Sequence, residues 1–85
     1  STVTRVTGDP VTLNPIAAYA GATLACPGTS IALSGGWYLA TGADYDEFFV
    51  PRSYPSPTLS SWSFRFRYTG PAVESVTPYV VCAGA

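Results

Sequence analysis

Hydrophobic and polar residues alternate along this chain with a period of two, in short segments cut apart by glycine and proline. Nowhere does an i, i+3, i+4 apolar pattern last for three turns. The clearest segment is SWSFRFRYT, residues 61–69. Trp62, Phe64, Phe66 and Tyr68 fall on one face, while Ser61, Ser63, Arg65, Arg67 and Thr69 fall on the other. Such a strand is half-buried, with its aromatic side in the core and its arginines in water. Further strands are predicted over 3–7, 11–13, 22–26, 31–40, 47–53 and 73–83. They are bounded by turn signals at Gly8-Asp9-Pro10, Pro27-Gly28, Thr41-Gly42, Pro55-Ser56-Pro57 and Gly70-Pro71. This spacing predicts an all-β fold, a small antiparallel β-sandwich of about seven strands, jelly-roll or immunoglobulin-like. No linker, charge run or repeat divides residues 1–85, so they read as a single domain. Residues 1–7 form an N-terminal arm that either completes its own sheet or pairs with a neighbour.

Two features interrupt the alternation. Gly35 and Gly36 sit inside the predicted strand 31–40, where paired glycines mark a bulge or a close backbone approach. The expectation is a bend that lets the strand continue onto a second sheet or around a sandwich corner, with Trp37 or Leu39 covering the core. Pro78 sits inside the last strand and has no amide to donate, which predicts an edge strand or a bulge at that point.

Composition narrows the setting. Hydrophobic residues are 47% and charged residues 11% of the 85, too apolar for a disordered chain. A domain this short buries only about 60 to 65% of the surface its unfolded chain exposes, so its core alone gives little stability. The two cysteines, Cys26 and Cys82, are therefore of interest. With no histidine they cannot complete a tetrahedral zinc site, and they lie too far apart for a C-x-x-C redox pair. A structural disulfide between them is expected. Closing so long a loop contributes roughly 4 kcal/mol in the chain-entropy picture and implies an oxidising compartment. The alternative is two buried free thiols in a cytosolic protein. The chain has no methionine, so Ser1 is not a retained translation start, and removal of a secretion signal is expected. A net charge of −1 supplies no footprint for nucleic acid or for an anionic membrane surface.

Several pieces of the chain together resemble a family of small bacterial secreted domains. They are Cys26-Pro27-Gly28, Ser34-Gly35-Gly36, Tyr54-Pro55-Ser56, the aromatic strand from Trp62 to Tyr68, and the closing Tyr79-Val80-Val81-Cys82-Ala83. The resemblance implies an extracellular β-sandwich with paired cysteines, carried on surface proteins beside fibre-like or collagen-like regions, and no catalytic residues. This chain departs from the pattern in lacking lysine and in carrying the acidic-aromatic insert DYDEFF, residues 44–49.

The chemistry available is limited. Without histidine or lysine, no serine has an ordinary base, which excludes a Ser-His-Asp or Ser-Lys nucleophile within this chain. The same absence of lysine removes lysine-asparagine isopeptide crosslinks. Asp44, Asp46 and Glu47 cluster in one segment, but a glycosidase needs a deep cleft to raise one carboxyl's pKa, and a small sandwich offers none. A calcium loop needs six or more oxygens, and the neighbours of this cluster are aromatic. No catalytic residue, metal or cofactor is expected, and the acidic cluster reads as a solvated loop.

Two functions remain. The first is a non-enzymatic extracellular structural protein, the subunit of a pilus-like surface fibre that assembles noncovalently with copies of itself. Its contacts would involve Val3, Arg5 and Val6 of the arm and Pro78 and Tyr79 of the last strand. The second is a carbohydrate- or receptor-binding adhesion module that meets surface glycans through Tyr45, Phe48 and Tyr54. Two Trp, six Tyr and four Phe exceed what one small core absorbs, which favours some intermolecular role. Tyr38, Tyr45, Tyr54 and Tyr79 are the tyrosines expected partly outside. The chain has a single Asn and no Gln or Lys, a poor supply of the polar groups sugar sites use, which leans toward assembly.

Overall fold

The computed structural model describes residues 2–15, 18–40 and 45–84, with the side chains of residues 18 and 45 excepted. Among these residues the chain forms seven strands: β1 (Val3–Thr7), β2 (Val11–Leu13), β3 (Ala18–Ala25), β4 (Ile31–Leu39), β5 (Phe48–Pro55), β6 (Ser61–Tyr68) and β7 (Glu74–Ala83). A single 3-10 turn, Tyr45–Glu47, precedes β5. All pairings are antiparallel, in two sheets. One sheet is built around β7, with β4 on one side and β1 followed by β2 along the other. The second is built around β6, flanked by β3 and β5. The predicted all-β sandwich with one disulfide is what forms; the predicted turn at Thr41-Gly42 lies outside the described residues.

The alternation of β6 sets the core. Phe64, Phe66 and Tyr68 are buried, Arg65 and Arg67 face water, and Trp62 is half-buried at the rim, where its Nε1 donates to Ser53 Oγ at 2.9 Å. Phe66 is 0% exposed and stacks on Phe64 at 5.6 Å between ring centroids, with Phe48 at 5.6 Å and Trp37 edge-on at 6.5 Å. From the β7 sheet, Leu13, Leu39 and Val76 close this aromatic cluster. A second, smaller cluster of Cys26, Ala32, Val80 and Cys82 fills the other end, with Leu24 and Trp62 packed against both. There the Cys26–Cys82 disulfide joins the end of β3 to β7, with Cα atoms 5.8 Å apart, and so ties the two sheets together. A disulfide is compatible with a secreted protein. No helix among the described residues is long and apolar enough to cross a membrane.

Three expectations change. Strand β3 begins at Ala18, earlier than predicted, through the β-poor run Ala18-Tyr19-Ala20-Gly21. Ala20 and Ala22 lie opposite Phe66 and Phe64 in the register, so small side chains there leave room for the rings.

Pro78 does not make β7 an edge, since β7 is the centre of its sheet. The carbonyl of Pro78 accepts a hydrogen bond from the Gly8 amide at 2.9 Å, so its missing N–H would point to that same side, into the gap where β1 gives way to β2. The kink at Gly8-Asp9-Pro10 lets a proline occupy a central strand, because no ladder donor is needed there.

Gly35 and Gly36 do not send β4 to another sheet. The strand pairs with β7 from Ile31 to Leu39, and its irregularity lies between Ala32 and Ser34. Both glycines are seats for rings. A Cβ at Gly35 would overlap Trp62 of the opposite sheet and come within 2.8 Å of Phe64 Cζ, while a Cβ at Gly36 would overlap the ring of its cross-strand partner Tyr79.

Candidate functional site

The outward positions of the two sheets form two different surfaces. On the β7 sheet, Ile31, Ala83 and Val3 form one row across β4, β7 and β1, followed by Ser34, Val81 and Arg5, and then by Gly36, Tyr79 and Thr7. Val3 is 63% exposed and Ile31 and Tyr38 are also exposed, as is Leu33 at the bulge. Arg5 covers Tyr79, with Cζ 4.4 Å from the ring centroid.

Among the described residues, no further strand pairs with the outer borders of this sheet. Because Pro78 turns its carbonyl toward the β1 side, alternation turns Val80 and Cys82 the same way, toward Val6 and Thr4. The backbone groups of Val3, Arg5 and Thr7 then point away from the sheet. By the same alternation Gly35 and Trp37 point away from β7 along the outer side of β4. One stretch of the β4 border is covered: Ala32 N–H donates to the Leu59 carbonyl at 2.7 Å. That carbonyl belongs to the Ser56–Ser60 turn, held by Leu59 at φ 60° and by Ser56 Oγ, which accepts from the amides of Ser60 and Ser61.

The outer face of the β6 sheet is a grid of three rows across β3, β6 and β5. Tyr19, Arg67 and Phe49 form the first, Gly21, Arg65 and Arg52 the second, and Thr23, Ser63 and Tyr54 the third. Three of the chain's four arginines stand here, and no outward position of the grid holds a carboxylate. Arg65 and Arg67 both lean on Tyr19, with Cζ 4.5 and 5.7 Å from the ring centroid. Thr23 and Ser63 hydroxyls lie 3.1 Å apart. Between Tyr19 and Tyr54, above Gly21, lies an open depression of about 490 Å³, with Arg52 and Arg65 on its wall.

Of the proposed assembly residues, Val3, Arg5 and Tyr79 share one outer face. Val6 and Pro78 do not join them: Val6 packs inward against the cystine cluster and Pro78 is fully buried, because both alternate onto the inner side. Of the proposed glycan contacts, Tyr54 is exposed on the other sheet. Phe48 is 8% exposed and belongs to the core, since it pairs with Tyr68 on the inner side of β5. Asp44 and the Tyr45 side chain lie outside the described residues. No group of three metal-ligating side chains occurs among the described residues. Sequence reasoning missed Tyr19, Gly21 and Arg52, whose place is set by cross-strand register. No family model, no curated protein and no solved structure matches this chain.

Proposed function

We propose that this protein is a non-enzymatic extracellular structural subunit, resembling the small secreted bacterial sandwiches noted above, which assembles noncovalently with copies of itself into a pilus-like surface fibre. The observation that carries this reading is how β1 is held. Only Val6 of its five residues is even half-buried, so the strand is attached chiefly by main-chain hydrogen bonds to β7. A neighbour's β1, laid antiparallel in the same register, would reproduce those bonds and the Val6 contact. Exchange of the strand therefore changes few contacts, while the Gly8-Asp9-Pro10 kink supplies the hinge. Passed from each copy to the next, the strand builds a chain of subunits; passed reciprocally, it closes a dimer. With no lysine available for isopeptide links, such contacts are noncovalent.

Light scattering on the full chain and on a variant lacking Ser1 to Thr7 tests this. The full chain is expected to form multimers, and the shortened one a monomer with its β-sheet signal intact. Multimers that survive the deletion would exclude strand exchange, and a full chain that stays monomeric at all concentrations would overturn the assembly reading itself.

A further inference from the structure

We infer that the outer face of the β6 sheet is a binding site for an acidic polysaccharide, a sugar polymer bearing carboxylates. This takes up the glycan-binding alternative at a different set of residues, and it stands independently of fibre assembly.

Charge is the first argument. Arg52 and Arg65 are direct cross-strand partners, and Arg67 follows two positions along on the same face. Like charges placed opposite one another destabilise a sheet, and no carboxylate stands among the outward positions of the grid to offset them. The arrangement lacks its counter-charge within the face. A bound polyanion supplies it, in a protein whose overall charge is −1.

Geometry is the second. The guanidinium groups of Arg65 and Arg67 lean on the Tyr19 ring, which leaves their N–H edges free to fork onto a carboxylate. A polymer carrying acids on successive sugars meets more than one arginine at a time. Tyr54, half exposed at the far side of the depression, offers a flat ring on which the C–H face of a sugar can stack, and Thr23 and Ser63 present hydroxyls beside it.

Gly21 is the third. A Cβ there would meet nothing closer than the Phe64 carbonyl oxygen at 3.4 Å, an ordinary contact, and its φ is not positive. Neither packing nor backbone conformation requires glycine at this position, and glycine weakens a strand interior. Its missing side chain keeps the floor of the depression clear. The choice of a sugar polymer over an acidic peptide follows from which groups are offered: an extended peptide gains its main-chain hydrogen bonds along a sheet border, whereas the arginines, rings and hydroxyls here project from the face.

The experiment is titration calorimetry of the full chain with polygalacturonate, with dextran as the neutral sugar polymer and polyglutamate as the acidic peptide. Binding of polygalacturonate that weakens as salt is added, with dextran inert and polyglutamate weaker, is the expected result. Arg65→Gln and Arg52→Gln should each weaken it by about tenfold. Gly21→Thr gives a separate readout, because it raises a branched side chain from the floor of the depression and favours the strand. Binding should fall while the thermal midpoint holds or rises, so loss of folding cannot account for loss of binding. Equal binding of dextran, preference for polyglutamate, no binding at all, or binding unaffected by the Arg52, Arg65 and Gly21 variants would each overturn the inference.

Discussion

The two sheets share one alternation rule and expose different chemistry by it. On the β6 sheet the side chains bear the distinctive groups, with three arginines and two exposed tyrosines over an aromatic underside. Of its two border strands, β5 carries Pro51, Pro55, Arg52 and an irregularity between Phe49 and Arg52, all features that discourage pairing with another strand, while β3 carries neither proline nor charge. On the β7 sheet the outer side chains are mainly small, hydroxyl-bearing or aliphatic, and the distinctive groups are the backbone rows along β1 and β4. Neither of those strands contains proline, and Arg5 is their single charge. The two sheets thus differ in their outer faces, and in one border strand, β5, which has features that discourage pairing.

The comparison extends inward, and substitutions can break it. The largest effect is expected from Phe66→Ala, which opens the aromatic cluster at its most buried ring and should cost about 3 to 5 kcal/mol. Denaturant unfolding followed by tryptophan fluorescence measures it. At the other end the cystine replaces rings. Reduction, or the paired change of Cys26 and Cys82 to alanine, should cost about 2 to 5 kcal/mol, seen as a lower midpoint in the same unfolding experiment. If that loss were negligible, the smaller cluster would be holding the sheets together without its crosslink.

The two glycines offer a finer test, since one faces the core and the other faces out. Gly35→Ala drives a methyl into Trp62 and Phe64 between the sheets and should cost about 1 to 3 kcal/mol. Gly36→Ala meets only the Tyr79 ring on the outer surface, which can swing aside, and its cost should be smaller. Equal costs would mean that Tyr79 is as firmly held as the interior rings. The smallest effect is expected for Arg65→Gln, which removes a like-charge pair on an exposed face. Stability should change by no more than about 0.5 kcal/mol, on the stabilising side and most clearly at low salt.

Much of the fold was readable in the sequence because one strand states it openly. In SWSFRFRYT the alternation is unbroken, and it correctly assigns Phe64, Phe66 and Tyr68 to the interior and Arg65 and Arg67 to water. The cysteine pairing was legible for a simpler reason, as no third cysteine competes. Surface residues were harder. Strict alternation from Phe49 would put Arg52 on the inner side, and it is the irregularity between the two that returns it to the outer face beside Arg65. Tyr19 and Gly21 lie in a segment of low β-propensity, so neither their strand nor their neighbours could be read locally. Pro78 misled because the rule against proline in central strands assumes an unbroken neighbour, and here the neighbour is two strands with a kink between them. Phe48 looked like a surface aromatic because it follows two acids, yet the strand begins with it pointing inward.

The pairing of β1 with β7 has a mechanical meaning. Val3 lies opposite Ala83, and the Gly84 amide donates to the Thr2 carbonyl at 2.7 Å, so Thr2 and Gly84 stand side by side at one end of the β1–β7 ladder. Tension between them loads the β1–β7 ladder across its hydrogen bonds one at a time, as in opening a zipper, the direction in which a pair of strands yields most easily. On the β7 side the pull soon meets Cys82, whose bond to Cys26 hands the load to β3. Under traction the arm is expected to peel away first while the clamped body stays folded, and the strand that strain releases is the one proposed to pass between neighbours.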